Sequence, residues 1–274
     1  MKINNNQQLE DGENISHMKC SKNKQKFKEG FPDTIIIHYT AGRDAESSAK
    51  YLCKDNVKAS AHLVIGRDGK IIQLVPFDTI AWHAGTSEYG SKKGFNKYSI
   101  GIELDNAGIL KKEGTEYISW FGKKYTDDQV IYTTHRNERQ AQYWHIFTEK
   151  QIKTCEEVCS QLIKKYNNIK TILGHEEISP GRKQDPGPAF PLDKLRNHLI
   201  FNDRESEELD TLPEFGTVIP SKLNIRTGPG KDFEKAALPL TEGTKVKIIG
   251  QQNDWYHVST EITGWVAKKY IKIN

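Results

Sequence analysis

Three side chains in this sequence have the types and the setting of a catalytic metal site. His38 ends the apolar run at residues 34–37, and His175 and Asp185 share a loop-like segment at residues 174–187. Two imidazoles and one carboxylate suit Zn²⁺, and three protein ligands leave the fourth tetrahedral position open to water or substrate. This pattern predicts hydrolysis by a metal-activated water.

Two charged residues are candidates for proton transfer and charge stabilisation beside such a metal. Glu103 lies within residues 99–104, SIGIEL, which are typical of a buried strand. An unpaired buried carboxylate is costly, so a chemical role explains Glu103 better than a structural one. Lys183 is either a cation of the same site or a solvated residue of the loop.

Histidine and tryptophan residues near these motifs have less specific roles. His83 and Trp82, in the segment WHAG, are candidate substrate contacts, with a core position as the alternative for Trp82. His62 is expected to be structural or to support a metal ligand. The remaining histidines lack supporting context and are expected at the surface or in packing: His17, His135, His145, His198 and His257.

The elements that must position these residues alternate between strands and helices. Asp68-Gly69, between two β-rich runs, predicts a hairpin. Strands are predicted at residues 34–38, 61–65, 70–76, 99–104 and 169–173, and helices at residues 41–55, 148–166 and 191–200. This order predicts an α/β fold, with a mixed central β-sheet flanked by helices. Residues 1–26 are predicted to be a poorly ordered polar lead, and residues 106–143 to form substrate-facing loops.

The charged segment at residues 202–211 is expected to be a linker, because the sequence pattern changes after it. Short β-rich runs then alternate with turn residues at 217–219, 223–226, 245–249, 255–258 and 264–267. Residues 212–274 therefore predict a small all-β domain, and residues 27–201 the larger domain.

Composition narrows the class of protein. The chain has 274 residues, a net charge of +4 and no run of more than two consecutive Lys or Arg, so we expect no nucleic-acid partner. The sequence has no run of about 18 apolar residues, so we expect no membrane insertion. We also expect a monomer. The first thirty residues lack the apolar stretch of a secretory signal, so the protein is either made without one or has lost it.

The four cysteines are predicted to be buried or half-buried free thiols. Cys155 and Cys159 fall on one face of a predicted helix, and Cys20 and Cys53 lie far upstream. For the CxxxC pair, Cys155 and Cys159, a disulfide or a metal site is the alternative.

Five separated motifs together resemble the zinc-dependent N-acetylmuramoyl-L-alanine amidases. They are IHYTAG at residues 37–42, SAHLVIGRDG at 60–69, AWHAG at 81–85, YSIGIEL at 98–104 and the segment at 174–187. This family includes phage T7 lysozyme, peptidoglycan recognition proteins and AmpD-type enzymes. The resemblance covers about residues 31–200 and is closest to the AmpD-type branch, through the run GRKQDPG.

The resemblance implies a role for each matching residue. His38, His175 and Asp185 match the zinc ligands of that branch, Glu103 its catalytic carboxylate and Lys183 its catalytic lysine. The T7-like branch has a catalytic Tyr where this sequence has Ala61, which favours Glu103 as the base. The implied reaction cleaves the amide between the lactyl group of N-acetylmuramic acid and L-Ala, in peptidoglycan or in muropeptides.

Other functions remain open at this point. A narrower enzyme that recycles anhydro-muropeptides fits the same motifs, as does a non-catalytic peptidoglycan receptor, although a receptor is expected to lack some of the five site residues. A zinc peptidase is less favoured, because the sequence has no HExxH motif.

Residues 212–274 resemble a bacterial SH3 domain. The resemblance is based on LNIRTGPG at residues 223–230 and on GWV at 264–266. It implies a small SH3-like barrel that binds peptidoglycan, and Arg226, Trp255, Tyr256 and Trp265 are candidates for its binding surface.

Overall fold

The computed structural model describes residues 1–12, 14–201, 215–228, 230–231, 233–252 and 255–260. The chain divides into two compact units, Met1–Ile200 and Phe201–Asn274. Within the described residues, every helix is too short or too polar to span a lipid bilayer.

The first unit combines short strands with four α-helices. Its strands are β1 (Lys2–Ile3), β2 (Leu9–Glu10), β3 (Ile15–His17), β4 (Thr34–Tyr39), β5 (Leu63–Ile65), β6 (Ile71–Gln73), β7 (Glu88–Tyr89), β8 (Lys92–Lys93), β9 (Ser99–Leu104), β10 (Ile109–Glu113), β11 (Glu116–Ile118), β12 (Lys124–Tyr125), β13 (Val130–Thr134), β14 (Ala141–His145) and β15 (Thr171–Gly174). Its α-helices are α1 (Ala45–Leu52), α2 (Glu149–Lys165), α3 (His175–Ile178) and α4 (Leu192–Arg196). Short 3₁₀ segments lie at Phe95–Lys97 and Asp127–Gln129, and a π-helical turn at Asn197–Phe201.

A six-stranded sheet in the order β15-β4-β9-β5-β6-β3 forms the centre of the first unit. β15, β4, β9 and β5 run parallel, β6 pairs antiparallel with β5, and β3 pairs parallel with β6. Ile35 and Ile102 share the main core with Val158 and Leu162 of α2. Ala49 of α1 packs against Val64 in a separate cluster. The predicted mixed sheet flanked by helices is confirmed.

Helix α2 begins where its sequence predicts. The Thr148 side chain accepts a hydrogen bond from the Gln151 amide, and the Gln151 side chain caps the Thr148 amide in return. Such a cap contributes about 1 kcal/mol. Because α2 covers one face of β4 and β9, the other face of these strands is available for the site.

A second sheet corrects the prediction that residues 106–143 form loops. Its strands are all antiparallel, in the order β12-β11-β10-β14-β13. Ala107, Leu110, Tyr117 and Tyr125 form a small core of their own, which stabilises the sheet.

The N-terminal segment also differs from the prediction. Residues 1–26 contain β1, β2 and β3, and β3 extends the central sheet beside β6. Leu9 is fully buried in the main core, and its amide donates to Gln73 Oε1 at 2.7 Å. The expectation of a poorly ordered lead is therefore wrong, because this segment buries apolar surface and completes the sheet.

The cysteines divide into two pairs. Cys155 and Cys159 are buried free thiols on α2, as predicted. Cys20 and Cys53 form a disulfide, so the prediction of free thiols is wrong for that pair. The bond joins the N-terminal segment to the residue that follows α1.

The second unit is all-β in its described residues, as predicted. Its strands are β16 (Phe215–Thr217), β17 (Lys222–Leu223), β18 (Leu240–Thr241), β19 (Lys245–Gln252) and β20 (Trp255–Ser259). β16, β19 and β20 form one antiparallel sheet, and β17 and β18 form another. The strand predicted at residues 264–267 and Trp265 lie outside the described residues.

Candidate metal centre

The register of β4 and β9 brings two predicted site residues together. The strands run parallel, with His38 opposite Glu103. Side chains alternate between the faces of a strand, and Ile37 and Ile102 point into the core beneath α2. His38 and Glu103 therefore share the opposite face, near the carboxyl ends of both strands.

The other two ligand candidates follow β15, the neighbour of β4. β15 runs parallel to β4, with Gly174 opposite Ile37, and His175 is the first residue of α3. The Glu176 amide donates to the Asp185 carbonyl at 2.8 Å, which closes the intervening loop. The loop thereby returns Asp185 to the two histidines.

His38, His175 and Asp185 converge on one point. The His38 Nδ1 atom lies 3.0 Å from His175 Nδ1, and both nitrogens lie 2.9 Å from Asp185 Oδ2. All three residues are buried. The edge of a zinc tetrahedron is about 3.3 Å for bonds of about 2.0 Å, so three mutually close acceptor atoms fit one bound cation.

The protonation states of these groups suit metal binding. Burial, together with the charge of His175, lowers the pKa of His38 to about 4, which leaves a neutral ring at neutral pH. Burial opposes ionisation of Asp185, but the adjacent rings of His175 and His38 outweigh this and bring the pKa of its carboxyl well below the usual range. Neutral imidazole and ionised carboxylate are the forms that bind metal.

Glu103 has the environment of a proton-transfer group. Burial, reinforced by the charge of Asp185, raises the pKa of Glu103 to about 8, while Lys183 opposes the rise. The Oε2 atom is buried and has no hydrogen-bond partner among the described residues. A carboxyl group with a pKa near the working pH is an effective general base or acid.

The structure also locates the remaining predicted residues. Lys183 is half-buried, and its charge lowers the pKa values of both Glu103 and His38, which places it within electrostatic reach of the site. The neighbouring Arg182 instead donates to the carbonyls of Ala84 and Thr86. Lys183 therefore stays the candidate for the cation of the site.

His83, Trp82 and His62 differ in burial and in the contacts that they make. His83 is buried. Its Nδ1 atom lies 3.0 Å from His38 Nε2, and its Nε2 atom lies 3.1 Å from the Ser99 carbonyl oxygen. Trp82 is 38% exposed, so its contact with substrate stays a prediction. His62 is fully buried and bonded to Gly101 and Thr79, which confirms its structural role.

A buried network that the sequence does not indicate holds the ligand loop. Glu176 Oε2 accepts hydrogen bonds from His135 Nε2 at 2.7 Å and from the Gly187 amide at 3.0 Å. Arg136 lies 3.3 Å from the other carboxylate oxygen of Glu176. The turn after β13, which carries His135 and Arg136, is thereby bonded to Glu176 at the start of the ligand loop, and Glu176 is bonded to Gly187 at its end.

Comparison with protein families agrees with this geometry. Residues 28–188 match the family model described as N-acetylmuramoyl-L-alanine amidase. The chain belongs to this amidase family. Residues 221–272 of the amidase match the model of the bacterial SH3 domain.

Curated relatives and one solved structure are similar to the amidase domain. The chain is 39% identical over 142 residues to 1,6-anhydro-N-acetylmuramyl-L-alanine amidase AmpD of Escherichia coli K12, covering 52% of this chain and 58% of that protein. It is 32% identical over 174 residues to N-acetylmuramoyl-L-alanine amidase AmiD of the same organism, covering 61% of this chain and 52% of the relative. The chain thus spans less than two thirds of the length of these relatives. The structure of a selenomethionine derivative of AmpD superposes with a TM-score of 0.50 at 25% identity, covering 72% of this chain and 98% of the other.

Proposed function

We propose that this chain is a zinc-dependent peptidoglycan hydrolase. It cleaves the amide between the lactyl group of N-acetylmuramic acid and the L-Ala of the stem peptide. The observation that supports this most directly is the convergence of His38, His175 and Asp185 beside Glu103. Membership of the amidase family supplies the class of bond.

His38, His175 and Asp185 would hold the zinc ion. When bound, Zn²⁺ supplies Lewis acidity and lowers the pKa of water to about 7. The donor set suits this ion, and each histidine has its second ring nitrogen against another protein group: His83 for His38, and the Ala84 carbonyl for His175. Such outer partners are a regular feature of metal-binding histidines.

Glu103 and Lys183 carry out the proton and charge steps. Glu103 takes a proton from the attacking water and passes it to the nitrogen of the leaving L-Ala amine as the C–N bond breaks. Lys183 stabilises the negative charge that develops on the carbonyl oxygen, an effect worth about 3 kcal/mol for a single oxyanion-hole donor. Trp82 is the residue we assign to substrate contact.

The domain organisation supports polymeric peptidoglycan as the substrate. We assign residues 27–201 to the amidase domain, 202–211 to a linker and 212–274 to a bacterial SH3 domain that binds the wall. Tethering a weak wall-binding domain to an enzyme raises the effective substrate concentration. In the described part of that domain, Tyr256 is 52% exposed, whereas Arg226 donates to the Phe233 carbonyl and is engaged within the domain.

Digestion of purified peptidoglycan tests the proposed activity. The products, analysed by mass spectrometry, are expected to be stem peptides that begin at L-Ala; they disappear with chelator and return with Zn²⁺. Cleavage of soluble anhydro-muropeptides without attack on intact wall would instead assign a recycling enzyme. Binding without any cleavage would mean a receptor, and cuts within the stem peptide would mean a peptidase.

A further inference from the structure

The two histidines of the proposed metal site, His38 and His175, both contact the same dipeptide through their Nε2 atoms. The His38 Nε2 atom lies 3.0 Å from His83 Nδ1, and the His175 Nε2 atom lies 3.0 Å from the Ala84 carbonyl oxygen. We propose that His83 and Asn96 are positioning residues that orient both metal ligands through this dipeptide, His83–Ala84. The inference rests on metal binding in the proposed function and not on peptidoglycan cleavage.

Asn96 fixes the dipeptide from the opposite side. Its side-chain oxygen, Oδ1, accepts hydrogen bonds from the amides of His83 at 3.0 Å and of Ala84 at 2.7 Å. One side-chain oxygen thus holds both residues that contact the ligand histidines. The preceding amide, that of Trp82, donates to Ser60 Oγ at 2.8 Å, so three successive amides are held by side-chain oxygens.

These contacts determine which ring nitrogens are free for a metal. The His83 Nε2–H group donates to the Ser99 carbonyl at 3.1 Å, so His83 Nδ1 has a lone pair that accepts from His38 Nε2–H. In His175, the Nε2–H group donates to the Ala84 carbonyl. Both ligand rings therefore present an unprotonated Nδ1 to Asp185, which is the arrangement that a metal requires.

A glycine on β9 makes room for the His83 ring. A Cβ atom added at Gly101 would lie 2.3 Å from His83 Cγ and 2.5 Å from His83 Nδ1. Any larger residue at this position would displace the ring from His38. The absence of a side chain at Gly101 is therefore part of the support for the metal ligand.

Zinc affinity of the purified full-length chain tests the role of His83. The probe is Zn²⁺ alone, measured by competition with a chromophoric chelator, so no substrate is needed. His83→Leu removes the acceptor for His38 and is expected to weaken Zn²⁺ binding by about 10- to 100-fold. His83→Asn places an amide oxygen near the position of Nδ1 and is expected to restore the affinity to within a few-fold of wild type.

A buried histidine outside the site provides the matched control. His145 is buried, and its Nδ1 accepts from the Ala107 amide. His145→Leu is expected to lower stability without changing Zn²⁺ affinity. If folded His83→Leu binds Zn²⁺ as tightly as wild type, or if His83→Asn is as weak as His83→Leu, the positioning role is wrong.

Asn96 variants test the same inference without altering a histidine. Asn96→Ala is expected to weaken Zn²⁺ binding and to change the visible spectrum of the Co²⁺-substituted protein, which reports ligand geometry. Asn96→Asp keeps an acceptor oxygen for both amides and is expected to preserve affinity and spectrum. Unchanged affinity and spectrum in Asn96→Ala would overturn its role. A wild-type chain that binds neither ion would overturn the proposed metal site and this inference together, whereas metal binding without cleavage would overturn only the proposed reaction.

Discussion

His38 and Glu103 are opposite each other on neighbouring parallel strands, β4 and β9. Adjacent strands lie about 4.8 Å apart, and both side chains project from the face that α2 does not cover. The central sheet thus sets the spacing between a proposed metal ligand and the proposed base. Rigid strands hold such geometry more accurately than loops do.

Replacing Glu103 by Gln is expected to abolish most of the activity. The amide keeps the size of the side chain but cannot take a proton, so kcat should fall by about 10²- to 10⁴-fold. Zn²⁺ affinity should remain close to that of wild type, because Glu103 is not one of the three converging residues. Release of stem peptides and chelator competition measure the two effects. A variant with substantial activity would exclude Glu103 as the base.

Removing the charge of Lys183 is expected to change both rate and pH dependence. Lys183→Met should lower kcat by about 10²- to 10³-fold through loss of oxyanion stabilisation. The charge of Lys183 lowers the pKa of Glu103, so its loss raises that pKa. Since the base acts when deprotonated, the acidic limb of the rate profile should move to higher pH. Lys183→Arg, which keeps the charge, should leave the limb in place; an unmoved limb in Lys183→Met would contradict the electrostatic role.

Zinc is expected to stabilise the folded chain through Asp185. Ligand binding to the native state adds about 2.7 kcal/mol when the free ligand is 100 times Kd. Wild type should therefore unfold at a higher temperature with Zn²⁺ than with chelator, and Asp185→Ala should show little difference. Calorimetry measures both. An equal zinc-dependent shift in Asp185→Ala would remove Asp185 from the ligand set.

Buried histidines are expected to make the protein less stable in acid. Burial, helped by the charges of Arg67 and Lys123, lowers the pKa of His145 from 6.5 to about 3. The unfolded chain therefore binds this proton first, and stability that is complete above pH 6.5 is lost as the pH falls towards 3. Between pH 7 and pH 5 this amounts to about 2 kcal/mol. The side chain in His145→Asn cannot titrate. Between pH 7 and pH 5 the free energy of unfolding of this variant, measured by denaturant, should therefore fall by about 2 kcal/mol less than that of wild type.

The disulfide between Cys20 and Cys53 predicts the number of free thiols, which can be measured directly. In denaturant without reductant, a thiol reagent should detect two free cysteines, Cys155 and Cys159. Reducing the bond between Cys20 and Cys53, which are 33 residues apart, should lower stability by about 3 to 4 kcal/mol on the loop-entropy model. The double variant Cys20→Ser/Cys53→Ser should match the reduced protein. Four reactive thiols would show that the bond does not form.

Elements with a strong local pattern could be predicted from the sequence. The strand at residues 99–104 coincides with β9, because a continuous apolar run is typical of a buried parallel strand. Thr148 and Gln151 form the capping box that begins α2. The ligand residues His38, His175 and Asp185 could be proposed from motif and spacing, and the structure brings them together.

Features that depend on tertiary partners could not be predicted. β1 and β2 have two residues each, too few to show a period, and Leu9 is buried by tertiary packing in the main core, where its amide donates to the Gln73 side chain of β6. β10 has an exposed Lys-Lys-Glu end, which hides its alternation. His83 supports His38, and Asn96 supports His83, through contacts between segments that no local pattern reveals.

The parallel pairing of β15 with β4 has a consequence for the order of events in folding. It joins segments whose ligands, His38 and His175, are 137 residues apart in the chain. Contacts of such long sequence separation form late, because loop-closure entropy must be overcome first. The three proposed ligands therefore meet only after the central sheet has closed, and we expect the chain to bind its metal when the fold is nearly complete.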